Sequence, residues 1–229
     1  MFTCKPLAPL RAPLFIILVL SSPMIFADDV VSYDEIAVNT FWKKLYPGGG
    51  WSLYCGFRFN GTRKTSNGRT IEIEHLFSPT VMARYAGCNS RMECRESENA
   101  NFIRMEADLH NMYPVWQTLV THRYESNYGL VKGEDWRFDD CDIEWKTGVV
   151  EPRNIARGNI ARALLYMHST YRIPVDKNLL ALYRIWNKMD PPSKQEKARN
   201  NIIEKIQGSR NPFIDQPSRA AGARFELLN

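Results

Sequence analysis

Through Ile71–His75, IEIEH, apolar and acidic residues alternate with the two-residue period of a half-buried strand, and the apolar series ends on a histidine. Glu72 and Glu74 fall on one face; Ile71, Ile73 and His75 share the other. Elsewhere the period is helical. Ser32 stands three residues before Glu35, and SYDEIAVNTFWKKLYPGGG ends at Pro47 and three glycines, which predicts a first helix opened by a capping box. In NIARGNIARALLYMHSTYR, residues Ile155, Ile160, Leu164, Met167 and Tyr171 recur at helical spacing. DKNLLALYRIWNKM is bounded by Asp176 and by Pro191-Pro192, while SKQEKARNNIIEKIQG runs from a Ser193–Glu196 capping box to Gly208. Between these regions WSLYCGFRFNGTRKT has strand composition broken at the turn dipeptide Asn60-Gly61, with Asn67-Gly68 marking a second turn. VWQTLVTHRY reads as a further helix. A first helix, a small antiparallel ribbon and a set of packed helices define the α+β class.

The front of the chain departs from this pattern. Lys5 and Arg11 precede PLFIILVL, an apolar run of signal-peptide length, and SSPMIFA offers Ala27 as a cleavage point. That run is too short to span a bilayer. Residues 1–27 are therefore expected to be a signal peptide, with an uncleaved anchor as the alternative, and residues 28–229 a single exported domain. Removing Lys5 and Arg11 changes 30 basic against 25 acidic residues to 28 against 25. An excess of this size is compatible with a polyanionic partner but does not establish one.

Cys4 lies in the leader, and Cys55, Cys88, Cys94 and Cys141 lie outside it. An even number in an exported chain predicts two disulfides. Proximity in sequence favours Cys88 with Cys94, leaving Cys55 for Cys141; a four-cysteine zinc site is the alternative, without any C-x-x-C pair to support it.

Of the histidines His75, His110, His122 and His168, two have neighbours that suggest chemistry. A strand ending at His75 brings Glu74 and the imidazole to the rim of one cleft with different aims, which suits a carboxylate holding a metal and a ring acting as base. The alternative is a core histidine bonded to a backbone carbonyl. EADLHNMYP gathers Asp108, His110 and Asn111, for which helix capping is the competing explanation. Oxygen donors from Glu and Asn suit a hard cation such as magnesium, whereas zinc would ask for more His or Cys.

EIEHLFSP, EADLHNMYP and EPRNIARGNIARALLYM, in this order, resemble the bacterial endonuclease I family of periplasmic and secreted nonspecific nucleases. LYCGFRF is similar to that family's YCGC-type strand, and LYRIWNKMDPP and IQGSRNPFID to its tail motifs, so the resemblance covers nearly all of the expected mature chain. It implies a ββα-metal (His-Me) finger within the α+β domain. Glu74 and Asn111 correspond to the two protein ligands of a divalent metal, taken as Mg2+, and His75 to the general base, with the following helix supplying Asn111 across from the ring. Asp108 and His110 fall inside a matched segment without a clear role. Arg157 and Arg162 match an RGxIAR helix, where a structural part and phosphate contact both stay open.

There are departures from the family pattern. WEH becomes Ile73-Glu74-His75, Ser78 shifts the following proline to Pro79, Phe57 replaces a cysteine, and NGDRSNF is faint in THRYESNYG, leaving Arg123 and Asn127 unassigned. The expected protein is a periplasmic or secreted monomer, off the membrane after signal cleavage. It would hydrolyse DNA, with RNA open, to 5′-phosphate ends with little sequence preference, using basic residues between Arg58 and Arg104 as a groove. Two alternatives accompany it: an inactive nucleic-acid-binding protein on the same scaffold, and a zinc hydrolase with His75, His110 and Glu74 as ligands.

Overall fold

Ser32 Oγ accepts the Glu35 N–H and starts helix α1 (Tyr33–Glu35), which widens into a π-helical segment, Ile36–Leu45, ending where the Tyr46 N–H bonds the Phe41 carbonyl at 3.0 Å. One helix forms over this stretch, as its pattern predicts, but with wider turns. The computed structural model describes Met1 and residues 32–123, 126–133, 138 and 140–228, with only the backbone of His122 and Arg123. The expected signal peptide lies outside the described residues.

Strands β1 (Gly49–Trp51) and β2 (Arg58–Asn60) pair antiparallel, and both predicted turns form beyond them: Arg63 N–H bonds the Asn60 carbonyl, and Gly68 N–H the Thr65 carbonyl. The predicted strand is β3 (Ile71–His75). Three short helices follow, α2 (Pro79–Tyr85), α3 (Arg91–Glu96) and α4 (Ala100–Glu106), capped by the side chains of Ser78, Ser90 and Asn99. The chain then returns as β4 (Met112–Trp116), antiparallel to β3, with Ile71 opposite Trp116 and His75 opposite Met112. β4 runs directly into α5 (Gln117–Arg123), which packs on both strands. The expected helix thus begins at Gln117 rather than Val115, because pairing with β3 holds Val115 and Trp116 in extended backbone.

A second sheet, ordered β5-β7-β6, comprises β5 (Asn127–Tyr128), β6 (Ile143–Lys146) and β7 (Val149–Pro152). The β6–β7 hairpin turns through Thr147 and Gly148, both at positive φ (51° and 75°). The rear is helical as expected: α6 (Asn154–Thr170), α7 (Lys177–Met189) and α8 (Lys194–Gln207), then the short α9 (Pro212–Asp215) and α10 (Arg219–Gly222). α6 is the central post, with Ile160, Ala161, Leu165 and Met167 fully buried. Its Gly158 lets α7 end against it, since a Cβ there would lie 1.9 Å from the Asp190 carbonyl oxygen.

β3 and β4 sit between two apolar clusters. Ile73 and Met112 join Phe41, Leu45, Leu109 and Ile203 beneath the first helix, whereas Tyr113 and Val115 enter the main core with Leu164 and Leu165 of α6. The architecture is α+β. Cys55–Cys141 and Cys88–Cys94 are disulfides, as expected, so no four-cysteine zinc site exists. Among the described residues no helix is long and apolar enough to cross a membrane.

Candidate active site

His75 closes β3 as the last residue in register with β4. Its Nε2 lies 2.8 Å from the Glu106 carbonyl oxygen. A carbonyl only accepts, so Nε2 carries a proton and donates it to Glu106. The ring is 6 % exposed and Tyr33 packs on it, with centroids 5.2 Å apart.

The residue that orients His75 through its backbone also organises charge through its side chain. Glu106 is buried, and its carboxylate takes Arg91 Nε on one oxygen and Arg95 Nε, at 2.9 Å, on the other. Two guanidinium groups against one carboxylate leave that cluster with an excess positive charge, linked to His75 through the Tyr33 ring. Arg95 Nη2 is buried with no hydrogen-bond partner. A buried guanidinium N–H without an acceptor is costly, which sets Arg95 apart from Arg91 in this corner. Both guanidinium groups also lie over the Tyr33 ring, 5.0 and 5.1 Å from its centroid. Tyr33 and Glu106 did not emerge from the sequence as site residues, and Arg91 and Arg95 did so only among the basic residues expected to form a groove between Arg58 and Arg104.

Glu74 is buried one residue before His75, on the opposite face of β3. Asn111 precedes β4 and is not on the helix, contrary to expectation. It is fully buried, and its side chain bonds both backbone groups of Phe77: Oδ1 accepts the Phe77 N–H at 2.7 Å and Nδ2 donates to the Phe77 carbonyl at 3.0 Å. Leu76 N–H also bonds the Asn111 carbonyl at 3.0 Å, extending the ladder past His75. Chemically this pair fits a hard cation: one carboxylate and one amide oxygen with a lone pair left after Phe77.

The neighbouring candidates are engaged in structure. Asp108 accepts from the hydroxyls of Tyr166 (2.9 Å) and Tyr171 (2.8 Å), from His110 N–H (2.9 Å) and from Gln207 Nε2 (2.9 Å). His110 Nε2 donates to the Ser209 carbonyl at 3.1 Å, its ring packs on Tyr166 with centroids 4.5 Å apart, and burial pushes its pKa down to about 4. Among the described residues no three His, Cys, Asp or Glu side chains gather to hold a metal. The zinc site of His75, His110 and Glu74 is therefore corrected, since His110 is turned to Ser209 and Tyr166. Arg157 pairs with Glu151 at 2.5 Å, and fully buried Arg162 forms a two-pronged pair with Glu196 at 2.7 and 2.5 Å. Neither helix arginine joins the His75 corner. A cavity of about 340 Å³ behind the turn is lined by Phe77, Arg84, His168 and Tyr183, and not by Glu74 or His75.

Residues 50–218 match the family described as Endonuclease I. The chain belongs to that family. It is 32 % identical over 170 residues to an Endonuclease-1 of Buchnera aphidicola, covering 71 % of this chain and 66 % of the relative. It is 28 % identical over 221 residues to an extracellular deoxyribonuclease of Aeromonas hydrophila, covering 87 % and 94 %, and 29 % identical over 202 residues to a periplasmic deoxyribonuclease of the same species, covering 79 % and 84 %. An extracellular ribonuclease of Bacillus amyloliquefaciens aligns over 89 residues at 38 % identity, covering 31 % of this chain and 30 % of the relative. Membership makes this chain a nuclease of the Endonuclease I family.

Proposed function

We propose that this Endonuclease I chain is a Mg2+-dependent, largely sequence-nonspecific endonuclease that hydrolyses DNA to 5′-phosphate ends, and RNA as a second substrate. The observation that carries the reading is the His75 corner: an imidazole aimed by the Glu106 carbonyl, with two arginines on the carboxylate of that residue and one buried N–H of Arg95 unpartnered. β3, β4 and α5 are read as the strand–strand–helix of a ββα-metal finger, with His75 at its open end. Residues 1–27 are read as a cleaved leader and 28–229 as the nuclease domain, acting as a monomer.

In this mechanism Nδ1 of His75 takes a proton from the attacking water, while the Nε2–H bond to Glu106 holds the ring and disperses the charge it acquires. Arg91 and Arg95 bind the non-bridging oxygens of the scissile phosphate, where negative charge grows. Glu74 and the second lone pair of Asn111 Oδ1 would hold the cation, water filling the other positions. When bound, Mg2+ supplies electrostatic stabilisation of the phosphate and of the departing 3′ oxygen. Exposed Arg58, Arg63 and Lys64 on and beyond β2 add backbone contacts that carry no sequence information.

The test is degradation of plasmid DNA and of RNA by the mature chain with Mg2+, with EDTA and with Zn2+. Cleavage with Mg2+ that EDTA abolishes, yielding ends that ligate without a kinase, is the expected result. Binding without cleavage would mark an inactive binder. Activity with Zn2+ alone would overturn the Mg2+ assignment.

A further inference from the structure

We propose that Tyr33 is a positioning residue of the nuclease centre, whose ring locks the Arg91–Arg95 pair beside His75. The inference rests on the nuclease reading above and concerns a residue of the first helix that lies far from the rest of the site in sequence. Tyr33 touches three of its members at once: its ring lies 5.2 Å from that of His75, and the guanidinium carbons of Arg91 and Arg95 stand 5.0 and 5.1 Å from its centroid.

The electrostatics explain why such a residue is needed. Arg91 and Arg95 are four residues apart on one short helix and repel each other, and Glu106 neutralises only one of them. Their side chains remain 41 % and 36 % exposed, so each guanidinium has the option of swinging into water. The negative face of an aromatic ring attracts both cations without cancelling their charge, as a second carboxylate would. Tyr33 thus keeps the positive charge in place and available to a phosphate. Ser32 caps the turn that presents it, which fixes the ring's approach.

Steady-state kinetics of Tyr33→Phe and Tyr33→Met test this, with plasmid DNA and with bis(4-nitrophenyl) phosphate, a small diester that reaches only the cleavage centre. Tyr33→Met fills the volume without an aromatic face and is expected to lower kcat about tenfold on both substrates, with KM for plasmid nearly unchanged. Tyr33→Phe keeps the face and is expected to stay within about threefold of wild type. Tyr33→Leu serves as the second probe should the methionine variant not fold. Wild-type kcat in the variants lacking the ring overturns the inference; so does a phenylalanine variant as impaired as they are, or a loss confined to KM. Absence of cleavage by the wild-type protein would instead overturn the nuclease reading itself, and this inference with it.

Discussion

Asn111 grips Phe77 by both of its backbone groups, N–H to Oδ1 at 2.7 Å and carbonyl to Nδ2 at 3.0 Å. With Leu76 N–H on the Asn111 carbonyl, both residues after His75 are tied to one partner. The imidazole is therefore aimed by the strand behind it, the turn ahead of it and the Glu106 carbonyl beside it.

Asn111 has two proposed jobs, and substitution separates them. Asn111→Ala leaves the N–H and carbonyl of buried Phe77 unpaired and should cost about 2–4 kcal/mol, with loss of cation affinity. Asn111→Asp keeps the acceptor and the metal-facing oxygen while losing the donor, so it should melt lower but still bind Mg2+. Melting curves and calorimetric Mg2+ titration check both; wild-type Mg2+ affinity in Asn111→Ala would confine Asn111 to the turn.

Arg162 illustrates the opposite outcome for a basic motif residue. It is fully buried against Glu196, and also donates to the Asp190 carbonyl at 2.7 Å. Burial pushes the Glu196 carboxyl pKa up, against the pull of Arg162. Arg162→Met strands that carboxylate and should destabilise by about 3–5 kcal/mol. The salt dependence of DNA binding should keep its slope. A slope reduced by about one would place Arg162 on a phosphate.

The two disulfides should differ in weight. Cys55–Cys141 closes a separation of 86 residues and Cys88–Cys94 one of 6. Loop-closure entropy assigns roughly 4–5 kcal/mol to the first and about 2 kcal/mol to the second. Paired serine variants, compared by denaturant unfolding, should follow that order; equal losses would mean that local strain or denatured-state structure dominates.

Much of this architecture is legible in the chain. The rear helices have caps and apolar faces of their own, the two Asn-Gly turns are local chemistry, and His75 interrupts an alternation that needs no tertiary knowledge. The family likeness is legible too, through several motifs taken in order, of which EIEHLFSP is one. The β5-β7-β6 sheet is a different case, because its strands are two to four residues long and are defined by partners across the fold. Val115 and Trp116 read as helix until β3 claims their backbone. The corner around His75 is spread over Tyr33, His75, Arg91, Arg95 and Glu106, so only folding assembles it. One local signal did exist: Ser90 caps a helix on which Arg91 and Arg95 share a face.

His168 should impose a pH dependence on stability. Its Nδ1 donates to the Ile173 carbonyl at 2.9 Å, and burial lowers its pKa, the carbonyl only partly opposing this. A lowered folded pKa means that the unfolded chain takes up the proton first. The contribution is therefore intact above about pH 6.5 and is lost as pH falls from there toward the folded value. His168→Gln should lose less melting temperature than wild type between about pH 7 and 5; parallel curves would show that the ring does not titrate differentially.

His75 and the cation are meant to act on one phosphate, and cleavage of plasmid DNA by the mature protein across a Mg2+ titration, with His75→Ala alongside, tests this most directly. Wild-type activity should rise from none without metal and saturate, while His75→Ala, folded and binding Mg2+ normally, should fall by about 10²–10⁴-fold at every concentration. Equal rates for the two proteins, or cleavage indifferent to Mg2+, would contradict it.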